Sequence, residues 1–184
     1  MIPPRGEAGD RIMAKLLSES KYAVRGRLVA VDNSGLVGPI FTLRVPPTTF
    51  DLQRPASYID FQLLDTNRKT LQKRIRIDDE LEVIIHAATV AVSKGTRNEL
   101  TFQTAPRGQC QRISHCRRAF GSMSPVNGKV VDNDSHHMIV VDAGVPVVVS
   151  LLEHKPAQTK QVKLNSWVTL WPAPPTHGII LGQV

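Results

Sequence analysis

A partial internal repeat constrains this chain more than any other feature. Val24-Arg25-Gly26-Arg27-Leu28-Val29-Ala30-Val31-Asp32-Asn33 returns as Val126-Asn127-Gly128-Lys129-Val130-Val131-Asp132-Asn133, an offset of 102 from Val24 to Val126. Further on, Arg74 to Val83 returns as Gln161 to Leu170, an offset of 87. Two copies of one unit within 184 residues leave each copy only a small core. Copy one is about 15 residues longer between the two anchors, and the surplus falls on the stretch from Val45 to Ser57, with Pro46, Pro47 and Pro55.

Both copies read as strands. Val24, Gly26, Leu28 and Ala30 alternate with Arg25, Arg27 and Val29, the pattern of a half-buried strand. In copy two, Ile139-Val140-Val141 and the run from Val145 to Leu152 are β-branched and are broken at Ala143-Gly144, a hairpin signal. Tyr58 to Leu64 is the corresponding strand of copy one, followed by the turn cluster Asp65 to Lys69. The next strand runs from Glu80 to about Val92. Lys94-Gly95-Thr96 is expected to turn it into a last strand at Asn98 to Thr104. In copy two the equivalents are Trp167 to Trp171, a turn at Pro172-Ala173-Pro174-Pro175, and Gly178 to Leu181. The one helix expected is N-terminal, capped by Asp10 and striped by Ile12, Met13, Leu16 and Leu17.

About five short strands per copy suit a small closed barrel, because closure removes exposed edges. The order, with a long first strand carrying a central glycine, a hairpin, a variable connection and a final hairpin, resembles that of an OB-fold. The resemblance covers most of residues 22–184 at the level of fold and implies no specific family. An SH3-like or other small β-barrel is the structural alternative. The expected organisation is all-β: an N-terminal segment at 1–21, an OB-like barrel at 22–105, a basic linker at 106–125 and a second OB-like barrel at 126–184.

Charge separates these parts. Lysine and arginine number 23 against 16 acidic residues, a net +7. The segment 106–125, PRGQCQRISHCRRAFGSMSP, holds four basic residues and no acidic one. A basic linker of this kind suits a phosphate backbone. No apolar run approaches the ~18 residues of a membrane span, and no signal-peptide pattern opens the sequence. The expectation is a cytoplasmic protein without a membrane partner.

Candidate binding residues follow from parity and charge. Arg25 and Arg27 share one face of their strand, and Arg74 and Arg76 share the polar face of theirs with Ile75 and Ile77 inward. With Lys94 they outline a basic surface on barrel one, to which Phe61 or Tyr58 would add an aromatic. Arg107, Arg112, Arg117 and Arg118 supply the linker. Leu81 and Val83 align with Val168 and Leu170 and should face the core, which puts Glu80 and Glu82 outside and, with them, Trp167 and Trp171. Those indoles would stack on bases or dock a partner protein. Aromatics are sparse, at 5% of residues, so binding would rest mainly on phosphate charge.

Cys110, His115 and Cys116 are zinc-compatible ligand types that His136 and His137 would have to complete, but the spacing lacks a C-x2-C knuckle, and no metal site or cofactor is expected. His86, His154 and His177 stand isolated in the sequence. No nucleophile elbow, P-loop, dinucleotide fingerprint or H-E-x-x-H motif occurs, so no catalytic residue is assigned and no enzyme is expected. The sequence therefore points to a non-enzymatic nucleic-acid-binding protein, for single-stranded DNA or RNA. The alternative is an interaction or assembly subunit whose barrels dock a protein partner or a second copy.

Overall fold

The computed structural model describes residues 20–34, 38–46, 59–72, 74–94, 126–133, 138–150 and 162–184. The N-terminal helix expected at 10–17 and the strand expected at 98–104 lie outside them. Among the described residues eight strands form one sheet: β1 (Val24–Asp32), β2 (Ile40–Val45), β3 (Ile59–Asp65), β4 (Glu80–Lys94), β5 (Val126–Asn133), β6 (Met138–Asp142), β7 (Pro146–Ser150) and β8 (Trp167–Gln183). The helical turns among the described residues are two short 3-10 turns, Ser20–Tyr22 and Lys69–Leu71.

Five of these strands close a barrel. β1, β2 and β3 form an antiparallel meander. The far end of β3 pairs in parallel with β8 at Leu64–His177 and Asp65–Gly178. The C-terminal half of β8 pairs antiparallel with β4, and β4 returns to β1 through Val24–Val83 to Arg27–Glu80. Closure, the strand count and the parallel pairing are consistent with an OB-like barrel. The alternation read from the sequence holds as far as Leu28: Val24, Leu28, Leu81 and Val83 are buried, while Arg25, Arg27 and Glu80 are exposed. It breaks at Ala30, which is exposed because the register shifts between Leu28 and Ala30. Phe41, Leu43, Phe61, Leu63, Ile85 and Ile180 complete the interior. Each such side chain contributes about 1.5–3 kcal/mol by leaving water.

The fifth strand of this barrel comes from residues 177–183, not from within 22–105. β4 and β8 are long, and both run on beyond the barrel. Their other halves join β5, β6 and β7 in a second closed set of pairings: β5–β6, β6–β7, β7–β4 in parallel, β4–β8 and β8–β5. The larger buried cluster spans both sets and includes Val130, Ile139, Val141, Val147, Val149 and Val168; Ile84, Met138, Val140, Val148 and Ile179 form a second, smaller one.

The repeat seen in the sequence reappears as geometry. β1 meets β4 at Val24–Val83 and Gly26–Leu81; β5 meets β8 at Val126–Leu170 and Gly128–Val168. The register shifts between Leu28 and Ala30 in β1 and between Val130 and Asp132 in β5. The turn before β4 bonds to β1 through Asp78 N–H to Leu28 O, and the turn before β8 bonds to β5 through Asn165 N–H to Val130 O. Both turn residues have positive φ, 74° at Asp78 and 65° at Asn165. Gly26 and Gly128 are needed for close approach, since a β-carbon on either would run into the backbone of the neighbouring strand, at Arg44 and Asp142 respectively.

One local expectation changes and another holds. The Pro172–Pro175 turn does not form. β8 continues through it as extended chain, because its neighbour β4 continues too and the two remain paired on both sides, at His86–His177 and Ala88–Ala173. Between those pairs β8 spends two more residues than β4, an irregularity that accommodates prolines without ladder N–H groups. The Ala143-Gly144 hairpin forms as expected, with Gly144 at φ 92° and its N–H donating to Asp142 Oδ1 at 3.0 Å.

Candidate functional site

The outer face of β1 and the turn before β4 hold four of the seven described candidates, Arg25, Arg27, Arg74 and Arg76. Arg25 registers with Glu82, and its Nε lies 3.6 Å from Glu82 Oε1. Arg27 stands between Glu80 on β4 and Arg44 on β2. Arg44 registers with Asp60 and grips it with two hydrogen bonds, Nε to Oδ1 at 2.7 Å and Nη2 to Oδ2 at 2.8 Å. A row Glu80–Arg27–Arg44–Asp60 therefore crosses four strands with two charges of each sign.

Arg74 and Arg76 are exposed, but the strand expected around them is absent. Residues 74–79 form a tight turn instead, with Arg76 N–H donating to Asp79 Oδ2 at 2.6 Å and Asp79 N–H to Arg76 O at 3.2 Å. The left-handed Asp78 and its bond to Leu28 make the chain reverse there. Ile75 packs against the core as expected, whereas Ile77 is turned out and is 50% exposed. Four arginines, Arg25, Arg27, Arg74 and Arg76, thus share this region with Asp78, Asp79, Glu80 and Glu82. The basic surface expected on barrel one is close to neutral.

Aromatic side chains do not relieve this. Phe61 faces the core at 1% exposure, so it is no stacking platform, and Tyr58 lies outside the described residues. Trp167 opens β8, half-buried and in register with Lys129; Trp171 registers with Ala91. Lys94 ends β4, in register with Val168. Arg107, Arg112, Arg117 and Arg118 lie outside the described residues, as do Cys110, His115, Cys116, His136 and His137. Among the described residues no group of three histidine, cysteine or acidic side chains converges as a metal site, and no helix is long and apolar enough to cross a membrane.

The structure adds two groupings that the sequence did not suggest. Asp132 accepts hydrogen bonds from the Tyr22 hydroxyl and, at 3.0 Å, from Lys21 Nζ, tying the start of β1 to β5. First the Tyr22 hydroxyl and then the Lys21 ammonium hold the Asp132 carboxyl below the usual carboxylate range. The second grouping is a histidine pair. His86 on β4 registers with His177 on β8, their ring centroids 5.8 Å apart. His86 is 8% exposed and its Nε2 is buried without a hydrogen-bond partner. Burial, and then the neighbouring His177, lower the His86 pKa to about 4; burial also lowers that of His177. In sequence the two are 91 positions apart, and only the pairing of β4 with the far half of β8 brings them together.

Comparison with protein-family models, curated proteins and solved structures gives no significant match.

Proposed function

We propose that this chain is a non-enzymatic protein that binds single-stranded nucleic acid, built on two OB-like barrels that exchange their fifth strands. The observation that carries this reading is the location of the charge excess. The described residues are nearly balanced, 11 basic against 9 acidic, so +5 of the net +7 lies elsewhere, and +4 of it is in 106–125. The anchoring of that segment supports a concerted role. Val92 and Val126 both register with Leu170, on its two sides. At a strand spacing near 4.8 Å they stand about 10 Å apart. The described residues that flank 95–125 thus stand close together on the sheet, and in this reading Arg107, Arg112, Arg117 and Arg118 contact a phosphate backbone. In this reading Arg25, Arg27, Arg74 and Arg76 add little net attraction, because their carboxylate neighbours offset them.

The test is a salt titration of binding to a labelled oligonucleotide. Replacing all four segment arginines by alanine should lower the log–log salt slope by up to about 2.8, at about 0.7 per phosphate contact on a single strand. Arg25→Ala with Arg27→Ala should lower it much less. Absence of binding at low salt overturns the proposal.

One observation favours a second reading, docking of a protein partner or another copy. Ile77 and Leu164 occupy equivalent turns, are 50% and 56% exposed, and each follows a cation, Arg76 or Lys163. A defined oligomer in solution that Ile77→Ser with Leu164→Ser disperses, without oligonucleotide binding, favours that reading.

A further inference from the structure

We propose that His86 and His177 form a two-histidine site for a monovalent copper ion. Their side chains lie directly across the β4–β8 ladder, on one face of the sheet. The row continues to Val148 of β7 beyond His86 and to Leu64 of β3 beyond His177, so an aliphatic side chain borders each imidazole. Val148 and Leu64 are buried, at 0% and 9% exposure.

The Thr66 hydroxyl holds the His177 ring: it lies 3.1 Å from Nδ1 and 3.4 Å from Leu64 O. In the tautomer whose Nδ1 carries the proton and donates it to that hydroxyl, the lone pair of His177 is on Nε2. This is the arrangement in which a ligating histidine is held by a second hydrogen bond through its other nitrogen. On the opposite ring, His86 Nε2 is buried with no partner. An orphaned ring nitrogen in such a place is destabilising unless a ligand satisfies it.

Distance and charge select the ion. Bonds of about 2.0 Å from one metal to a nitrogen on each ring put the ring centroids about 5 to 6.5 Å apart, which brackets the 5.8 Å found. Both imidazoles are neutral, and among the described residues no carboxylate or thiolate joins them. A dication would enter this apolar row uncompensated, and the cost of moving an ion out of water rises with the square of its charge. Copper suits imidazole ligands, and in its monovalent form it accepts two-coordinate geometry.

The experiment uses the full metal-free chain with Cys110→Ser and Cys116→Ser, so that the thiols do not compete. Copper(I) is titrated anaerobically against a colorimetric copper(I) chelator. One equivalent should bind, at least a hundredfold more weakly after His86→Gln or His177→Gln, and ten- to a hundredfold more weakly after Thr66→Val. Nitrogen NMR of the unaltered histidines provides a readout independent of whether the variants fold. Copper should shift Nε2 of His177 and leave its Nδ1 protonated. Unchanged affinity in both glutamine variants, no binding, an unmoved His177 Nε2, or zinc(II) outcompeting copper(I) at the same nitrogens would each overturn the assignment.

Discussion

Gly26 lies so close to Arg44 that a β-carbon on it would stand 2.7 Å from the Arg44 carbonyl oxygen and 2.9 Å from Leu43 Cγ. Gly128 meets Asp142 and Val141 in the same way, and more tightly. Backbone cannot give way as a flexible side chain can. Gly26→Ala and Gly128→Ala should therefore each destabilise the protein by about 1–3 kcal/mol, the usual cost of overpacking. Gly182→Ala, with open space around it, should change stability by less than about 0.5 kcal/mol. Urea unfolding of the three variants checks the contrast, and equal losses at all three positions would refute it.

The turns before β4 and β8 make a second matched prediction. Asp78 and Asn165 sit in the left-handed region, which a β-branched side chain strongly disfavours. Asp78→Val should be less stable than Asp78→Gly by about 1–2 kcal/mol, and Asn165→Val than Asn165→Gly by a similar amount. Thermal unfolding of the two pairs measures this.

The Tyr22–Asp132 bond carries a pH dependence whose sign is fixed. Asp132 is held below its ordinary pKa, so its contribution is complete above the unfolded carboxylate value and disappears as pH falls through the lowered folded value. Tyr22→Phe should cost about 1 kcal/mol at pH 7. The difference from the parent should fade below about pH 4. Urea midpoints measured from pH 7 to pH 3 would show it, and a difference that grows towards acid would contradict the assignment.

Carboxylates beside Arg25 and Arg27 should oppose a polyanion. Two unit charges ~8 Å apart in water interact by about 0.5 kcal/mol. Glu80→Gln with Glu82→Gln should then raise oligonucleotide affinity at low salt, roughly twofold for each charge removed. Unchanged affinity would place the bound strand away from β1.

Much of this was legible because it is local. Alternation gave the inward Leu81 and Val83 and the outward Arg25 and Glu80. The repeat offsets gave matched registers, and Ala143-Gly144 gave the hairpin. What escaped the sequence depends on distant pairing. Pro172 to Pro175 has turn composition, yet whether β8 reverses or runs straight is decided by the 91-residue separation it must span to reach β4 at His86. The same separation hid the histidine pair. Parity within the strand could not say which way Phe61 pointed; its pairing with Leu43, itself buried, settles it inward. Ile77 was misplaced because alternation was carried through a turn that Asp78 and Asp79 impose.

The sharing of β4 and β8 also has a consequence for how the protein is made. During synthesis, β1 to β4 emerge long before residues 177–183, the strand that closes their barrel. At about 5–20 residues per second, the interval from Lys94 to His177 lasts on the order of 4 to 17 s. Throughout it the edges of β3 and β4 that β8 will cover stay open, a known invitation to wrong pairing. The first half of this chain is thus completed by its last residues, and a nascent chain arrested before Gly178 would hold a barrel with one stave missing.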